Sequence, residues 1–254
     1  MQNIIFSILG PTCVGKTDLS ILLAQKYPFD IVSMDSSMVY KYMDIGTSKP
    51  NKNILNTFKH YLIDICDPSL NYSVYNFYYD SLNIIESCFN KNRYPLFVGG
   101  TMLYFNLLYK KIYFDLSNYK LKNNIKFLNF VILPYNENKL FLLIKKRLNL
   151  MLKNGFIDEV KFLYNQNNIN FNCNSIRSIG YNELWLYFDG KLKFKNALDL
   201  ILISTYNLYS KQVSWLKKFQ KNIIFIENDI DKSFSYLDNI INKNLNFYLY
   251  RKEV

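Results

Sequence analysis

The sequence predicts an α/β protein with a mostly parallel β-sheet that helices cover on both faces. Short apolar runs of strand length alternate along the chain with segments in which apolar residues recur every three or four positions, as on an amphipathic helix. Parallel strands need such helical connections, and strands buried on both faces are apolar throughout. The 254 residues are enough for one large domain, so we expect residues 1–254 to form a single domain.

The predicted elements follow one another in a regular order. Pro28 ends the first helix and Pro95 opens the third strand, because proline interrupts helices and is tolerated at strand starts. In chain order we predict a strand at 4–9, a helix at 16–26, a strand at 30–33, a short helix at 36–43, a helix at 74–91, a strand at 96–98, a helix at 101–111, a strand at 125–133, helical structure at 138–153, 156–165 and 175–219, a strand at 223–226 and a helix at 233–249.

Charge and composition restrict the classes of function. The chain has 31 Lys and Arg against 20 Asp and Glu, a formal charge of +11, which favours nucleic acid as a partner, with a membrane surface second. One histidine, His60, excludes a multi-histidine metal site, and 4 cysteines without paired spacing indicate reduced thiols. We find neither a signal peptide nor a membrane-spanning stretch, and expect a soluble, cytoplasmic protein without a membrane partner.

A phosphate-binding loop follows the first predicted strand. The motif G-x-x-x-x-G-K-T consists of Gly10, Pro11, Thr12, Cys13, Val14, Gly15, Lys16 and Thr17. Its position between a strand and a helix is the context that the motif requires, and it predicts a P-loop NTPase-like fold. Backbone N–H groups and the Lys16 ammonium would bind a di- or triphosphate, and the Thr17 hydroxyl is a candidate ligand of Mg²⁺.

Asp35 is the carboxylate that the predicted topology brings closest to this loop. It ends the second strand, whereas the strands at 96–98 and 125–133 end without a carboxylate that could hold a metal, which weakens an ATPase interpretation. Asp35 could be a proton acceptor or the N-cap of the next helix, and these two roles are compatible.

Further segments resemble the tRNA dimethylallyltransferases. The matching segments appear in family order and cover most of residues 4–104 and 140–219; they are SMDSSMVY at 33–40, MDIGTSKP at 43–50, HYLID at 60–64, DP at 67–68, YS at 72–73, PLFVGGTMLY at 95–104, SIRSIGY at 175–181 and KQVSWL at 211–216. The chain is similar to a shortened bacterial-type member of this family.

The resemblance implies a reaction and a set of site residues. Family members transfer a dimethylallyl group from dimethylallyl diphosphate to N6 of adenosine 37, in tRNAs that read codons beginning with U. The resemblance implies that Asp35 accepts the proton of the amine, that Thr12 contacts the diphosphate, and that Arg177 is the guanidinium that binds it. It also implies contacts with the anticodon stem-loop of the tRNA, made by Asp35, Ser36, Ser37, Met38 and Thr101, and it places Thr101 with Asp35 and Arg177 among the catalytic residues, near the reacting base.

The chain departs from the family in one segment. Members carry a helical insertion with an arginine-bearing segment after the Gly-Gly-Thr helix, whereas residues 105–124 are short and contain no arginine. We interpret 105–124 as a shortened remnant of the insertion and 136–219 as a helical substrate-binding region. Lysines of the segment 211–221, with Trp215 and Phe219, could contact tRNA or form a solvated helix face, and His60 is expected to be structural.

Three alternative functions remain open at this stage, and we expect a monomer in each case. The chain could prenylate free adenine nucleotides, it could be a small-molecule kinase with a phosphate loop, or it could be a non-catalytic tRNA-binding remnant. The charge of +11 and the helical C-terminal region argue against a free nucleotide as the substrate.

Overall fold

A computed structural model describes residues 3–114, 125–133, 140–219, 223–226 and 229–245. Its sheet has the strand order β3-β2-β4-β1-β5-β6, and every pairing between described strands is parallel. The strands are β1 (Ile4–Leu9), β2 (Phe29–Met34), β3 (His60–Tyr61), β4 (Tyr94–Gly99), β5 (Lys126–Ile132) and β6 (Ile223–Ile226). The predicted fold class is therefore confirmed.

Helices connect the strands and cover the sheet. They are α1 (Lys16–Lys26), α2 (Lys52–Thr57), α3 (Val74–Asn90), α4 (Met102–Phe114), α5 (Leu140–Lys153), α6 (Phe156–Tyr164), α7 (Tyr181–Phe188), α8 (Phe194–Lys218) and α9 (Ile230–Leu245). Among the helices described, none is both long and apolar enough to cross a lipid bilayer.

The alternation of side chains along β1 shows why helices lie on both faces. Ile5 and Leu9 belong to an apolar cluster with α3 and α4, whereas Phe6 and Ile8 belong to a second cluster with α1 and α9. Successive strand residues point to opposite faces, so a strand whose six residues are all buried needs a cover on each side.

The helices α5 to α8 pack around an apolar cluster of their own beside the sheet. Val39 and Met43, which follow β2, are buried in this cluster together with Phe156 and Tyr181. The carboxylate of Glu159 adds polar contacts, since it accepts the backbone N–H groups of residues 44, 45 and 46 at 2.8, 2.8 and 3.0 Å. The segment after β2 is thus fixed to the helical region.

Two predictions about elements are wrong. Residues 36–43 form turns rather than a short helix, because the Lys41 N–H bonds to the Cys66 carbonyl and Tyr42 has a φ of 63°. The segment 175–219 is not one helical stretch: its first residues form turns, and Gly190, with a φ of 71°, lies between α7 and α8. The sequence reading also missed α2, which Asn51 caps, and the two-residue edge strand β3.

Several predicted segments extend outside the described residues. Of the proposed insertion remnant 105–124, residues 105–114 belong to α4 and 115–124 lie outside the described part. Three further stretches also lie outside the described part: residues 136–139 of the predicted helical region, residues 220–221 of the lysine segment and residues 246–249 of the last predicted helix.

Candidate active site

The register of three neighbouring strands brings the main site residues to one edge of the sheet. Leu9 of β1 and Met34 of β2 both pair with Gly99 of the central strand β4. The residues that follow these strand ends, Gly10 and Asp35, therefore lie on either side of the end of β4. Parallel sheets bind ligands at the carboxyl ends of their strands, so this edge is where a ligand is expected.

The phosphate loop has the predicted conformation between β1 and α1. Cys13 and Gly15 have φ values of 65° and 79°, and α1 begins at Lys16. Gly10 packs closely, since a Cβ there would lie 2.8 Å from the Ile132 carbonyl oxygen. The loop thus places backbone N–H groups and a helix N-terminus at one point, which favours an anion.

The Lys16 ammonium folds onto the loop, and its pKa is lowered. Its Nζ donates to the Pro11 carbonyl at 2.6 Å. Loss of water around the ammonium lowers the pKa of Lys16 from 10.5 to about 8; the charge of Asp35 raises this pKa and that of Arg147 lowers it further. An incoming phosphate would replace the carbonyl as partner and favour the charged form.

Two side chains from the helical region hold Thr12 of the loop. The Arg147 Nη1 donates to the Thr12 hydroxyl at 2.8 Å, and the Gln212 side-chain oxygen accepts the Thr12 N–H at 3.1 Å. Neither residue is among those that the sequence predicted for the site. Arg147 is one of few arginines in a lysine-rich chain, and this scarcity is the sequence feature that could have indicated its role. Gln212 lies in the KQVSWL segment at 211–216, but nothing in that segment indicates its contact with Thr12.

Asp35 is held in place by the turn that follows it. Its Oδ1 accepts the N–H groups of Ser37 and Met38 at 2.8 and 3.2 Å, so the capping geometry is present although a turn follows instead of a helix. The Thr101 hydroxyl accepts the Ser36 N–H at 3.2 Å. Asp35 can thus combine the structural role with a second role in the cleft.

Arg177 lies on the turn before α7 at the same cleft. The neighbouring Ser178 hydroxyl is 2.9 Å from the Ser37 hydroxyl, which connects this turn to the Asp35 turn. Arg177 itself is exposed, and we find no hydrogen-bonded or ionic partner for its side chain within the described ranges. Its guanidinium is therefore available to a ligand.

A cleft of about 640 Å³ joins these groups. Lining residues include Thr12 to Thr17, Asp35 to Met38, Arg147 and Arg177. Gly10, Pro11 and Thr101 are not part of the cleft wall, but the Pro11 carbonyl and the Thr101 hydroxyl bond to the lining residues Lys16 and Ser36. Apolar side chains from the helices, among them Ile144, Leu148 and Met151, form another part of the wall. The cleft therefore combines a cationic phosphate site with apolar surface.

Mg²⁺ fits these residues when phosphate oxygens complete its coordination. Within the described ranges, we find no group of three or more His, Cys, Asp or Glu side chains that could hold a metal on its own. The oxygen donors of the cleft wall include Thr17 at the start of α1 and Asp35. Mg²⁺ in phosphate sites uses one or two protein oxygens together with phosphate and water, so this small donor set suffices.

His60, Trp215 and Phe219 make hydrogen-bond and packing contacts, and His60 also lines the cleft. The His60 Nδ1 is 2.8 Å from the Phe58 carbonyl oxygen, and burial lowers the pKa of His60. Trp215 and Phe219 stack on each other and pack against the sheet core, so these rings do not form a solvated face. Among the described residues of that segment, Lys211, Lys217 and Lys218 are exposed.

Comparisons with known proteins agree with this geometry. The IPP transferase family model matches residues 38–126 and 113–219. A tRNA dimethylallyltransferase of Coxiella burnetii is 34% identical over 291 positions, which cover 89% of this chain and 94% of that protein. A protein of the same name from Wigglesworthia glossinidia brevipalpis is 35% identical, with 93% of each chain covered.

Solved structures show the same architecture. The tRNA isopentenylpyrophosphate transferase of Bacillus halodurans is 26% identical, with a TM-score of 0.85 over 96% of this chain and 97% of that one. The alignment with the Coxiella protein is 291 positions long, whereas this chain has 254 residues. At least 37 positions of the alignment are therefore gaps in this chain. The match over residues 38–219, with a strand-end site built around a phosphate loop, establishes that the chain belongs to the IPP transferase family.

Proposed function

We propose that this protein transfers a dimethylallyl group from dimethylallyl diphosphate to N6 of adenosine 37 in tRNA, in tRNAs that read codons beginning with U. The observation that carries the proposal is that the phosphate loop and Asp35 line one cleft in a chain of the IPP transferase family. The relatives named above are tRNA dimethylallyltransferases, which supports tRNA as the substrate over free nucleotides, over a kinase reaction and over a non-catalytic role.

The phosphate loop would stabilise the leaving group. The bond between C1 of the dimethylallyl group and the diphosphate oxygen breaks, and the negative charge remains on the diphosphate. Lys16 and Arg147 lie at the loop, and Arg177 lines the same cleft. Cationic groups and N–H dipoles placed where charge develops supply much of the catalysis in such reactions.

Asp35 would accept the proton of the nucleophile. As N6 forms its bond to C1, the amine gains positive charge and loses a proton, and a carboxylate at this position can accept it. The Asp35 Oδ1 is occupied by two backbone N–H groups, which leaves Oδ2 to face the adenine. The base has to leave the stack to reach the cleft, as in other enzymes that act on a base.

A magnesium ion would be held by the Thr17 hydroxyl together with diphosphate oxygens. Such an ion neutralises charge on the leaving diphosphate when it is bound. Lys16 and the loop N–H groups would orient the diphosphate, and Asp35 lines the cleft from the side of the second strand.

The anticodon stem-loop is the proposed macromolecular partner. Residues 35–38 line the cleft, and Thr101 holds the backbone of Ser36. The chain has 31 basic and 20 acidic residues, and this net positive charge supports a polyanionic substrate. The family model matches the chain in two pieces that meet at residues 113–126, which supports the proposal that 105–124 is a shortened insertion, and we propose 136–219 as the substrate-binding region. We further propose a monomer that acts in the cytoplasm, where tRNA is modified.

The proposal is tested in a host that lacks its own enzyme. Expression of this chain should produce isopentenyladenosine in tRNA digests analysed by mass spectrometry, whereas the Asp35→Asn variant should not. Unmodified A37 with wild-type protein present in the extract would contradict the proposal. A competition between tRNA and AMP for labelled dimethylallyl diphosphate tests the free-nucleotide alternative, and release of ADP from ATP tests the kinase alternative.

A further inference from the structure

Gln212 on α8 joins two segments of the site that are far apart in sequence. Its side-chain oxygen accepts the Thr12 N–H at 3.1 Å, and its Nε2 donates to the Gly100 carbonyl at 2.9 Å. Thr12 belongs to the phosphate loop, and Gly100 precedes Thr101, whose hydroxyl holds the turn after Asp35. One half-buried side chain thus connects the phosphate side of the cleft to the side of the proton acceptor.

The two contacts require a primary amide. The Thr12 N–H can only donate and the Gly100 carbonyl can only accept, so the bridging group must accept at one end and donate at the other. A carboxylate of the same length keeps the first contact and loses the second, and an aliphatic side chain loses both. This requirement makes the position sensitive to substitutions that preserve size.

The backbone around Gln212 leaves little space for other arrangements. A Cβ on Gly100 would lie 2.5 Å from the Gln212 Nε2 and 3.0 Å from the Gly10 carbonyl oxygen. The glycine therefore permits the close approach of loop, strand end and amide. A substitution at Gly100 would have to displace either the amide or the loop.

The packing of α8 fixes where the amide lies. The next residue, Val213, is buried in an apolar cluster with Ile144 of α5, and the Cys13 side chain of the phosphate loop packs against the same cluster. Leu216, one helical turn beyond Gln212, is fully buried against the sheet core. Because Val213 and Leu216 anchor this helix segment in two separate apolar clusters, Gln212 restrains the loop rather than following it.

We propose that Gln212 is a positioning residue that fixes the distance between the diphosphate site and the site of the accepting base. This inference rests on the proposed function, because the reaction breaks a bond at the diphosphate and forms one at the amine of the base. Displacements of about 1 Å in such geometries reduce rates about 100-fold. Loss of the bridge should therefore change both the affinity for diphosphate and the turnover.

The test compares Gln212→Ala and Gln212→Glu with the control Gln166→Ala. The Gln166 side chain donates to the Phe162 carbonyl near the end of α6, and Gln166 does not line the cleft. The measurements are the affinity for inorganic diphosphate, kcat and KM for dimethylallyl diphosphate with tRNA, KM for tRNA, and the thermal midpoint. We expect Gln212→Ala to weaken diphosphate binding and to lower kcat/KM for dimethylallyl diphosphate by about 10-fold or more.

Gln212→Glu should bind diphosphate more weakly than Gln212→Ala, because it adds a negative charge beside the phosphate loop. Unchanged diphosphate affinity and kcat in both variants would overturn the inference, and so would a lowered thermal midpoint with unchanged affinity, since that indicates a purely structural role. If Gln212→Ala does not fold, Gln212→Glu decides through the same readouts. If wild type binds diphosphate without transfer to tRNA, the proposed function fails while the affinity measurement still tests Gln212.

Discussion

The lowered pKa of Lys16 leads to a quantitative prediction for diphosphate binding. Lys16 is expected to bind phosphate only in its charged form, and its pKa in the free protein is about 8. A bound anion favours the charged form, so the pKa rises in the complex. The contribution of the Lys16 charge is therefore fully present below pH 8 and declines as the pH rises through 8.

The magnitude follows from the protonated fraction. With a pKa of about 8, roughly nine tenths of Lys16 is charged at pH 7 and roughly one tenth at pH 9, so the apparent affinity due to this charge falls about 10-fold. A charge-assisted hydrogen bond contributes about 1.5–3 kcal/mol, so Lys16→Met should weaken diphosphate binding roughly 10- to 100-fold at pH 7.

The assay is calorimetric titration with inorganic diphosphate at pH 7, 8 and 9. The ratio of the Lys16→Met to the wild-type dissociation constant removes the ionisation of the ligand itself, and this ratio should fall about 10-fold from pH 7 to pH 9. Lys91→Met is the control, because Lys91 is exposed at the end of α3, before β4 begins at the opposite edge of the sheet. A ratio that stays constant between pH 7 and pH 9 would refute a lowered pKa of Lys16.

The remaining predictions concern Asp35, Arg147 and Glu159. Asp35→Asn keeps an oxygen for the Ser37 and Met38 N–H groups but cannot accept a proton, so kcat should fall about 100-fold or more while diphosphate affinity changes little; a retained kcat would exclude the proton-acceptor role. Arg147→Met removes a charge that lowers the Lys16 pKa, so the midpoint of the pH-dependent loss of diphosphate binding should move to higher pH, and an unmoved midpoint would contradict this coupling. Glu159→Gln places an amide nitrogen against N–H donors of residues 44–46 and should lower the free energy of unfolding by about 2–3 kcal/mol in urea titrations. The exposed Glu86→Gln control should change it by less than about 0.5 kcal/mol, and equal effects would contradict the proposal that Glu159 holds residues 44–46.

The sequence predicted the α/β part of the fold well because its signals are local. The strands around β1 and β2, the helix α1 and the phosphate loop each depend on a contiguous run of residues whose spacing or composition dictates the backbone. The edge strand β3 was missed because two residues carry no periodic pattern. The turns at 36–43 were predicted as a helix because apolar spacing alone does not reveal that Lys41 bonds to Cys66.

The candidate site likewise has one part that the sequence predicts and another that depends on tertiary packing. The sequence by itself determined the loop Gly10 to Thr17, because a phosphate cradle is built from consecutive N–H groups, and it singled out Asp35, which follows a strand whose parallel pairing places it at the same edge. Only the tertiary structure decided that Arg147 and Gln212 hold Thr12, since they lie 135 and 200 residues away from it. Contacts over such separations depend on how α5 and α8 pack against the sheet, and that packing has no local signature.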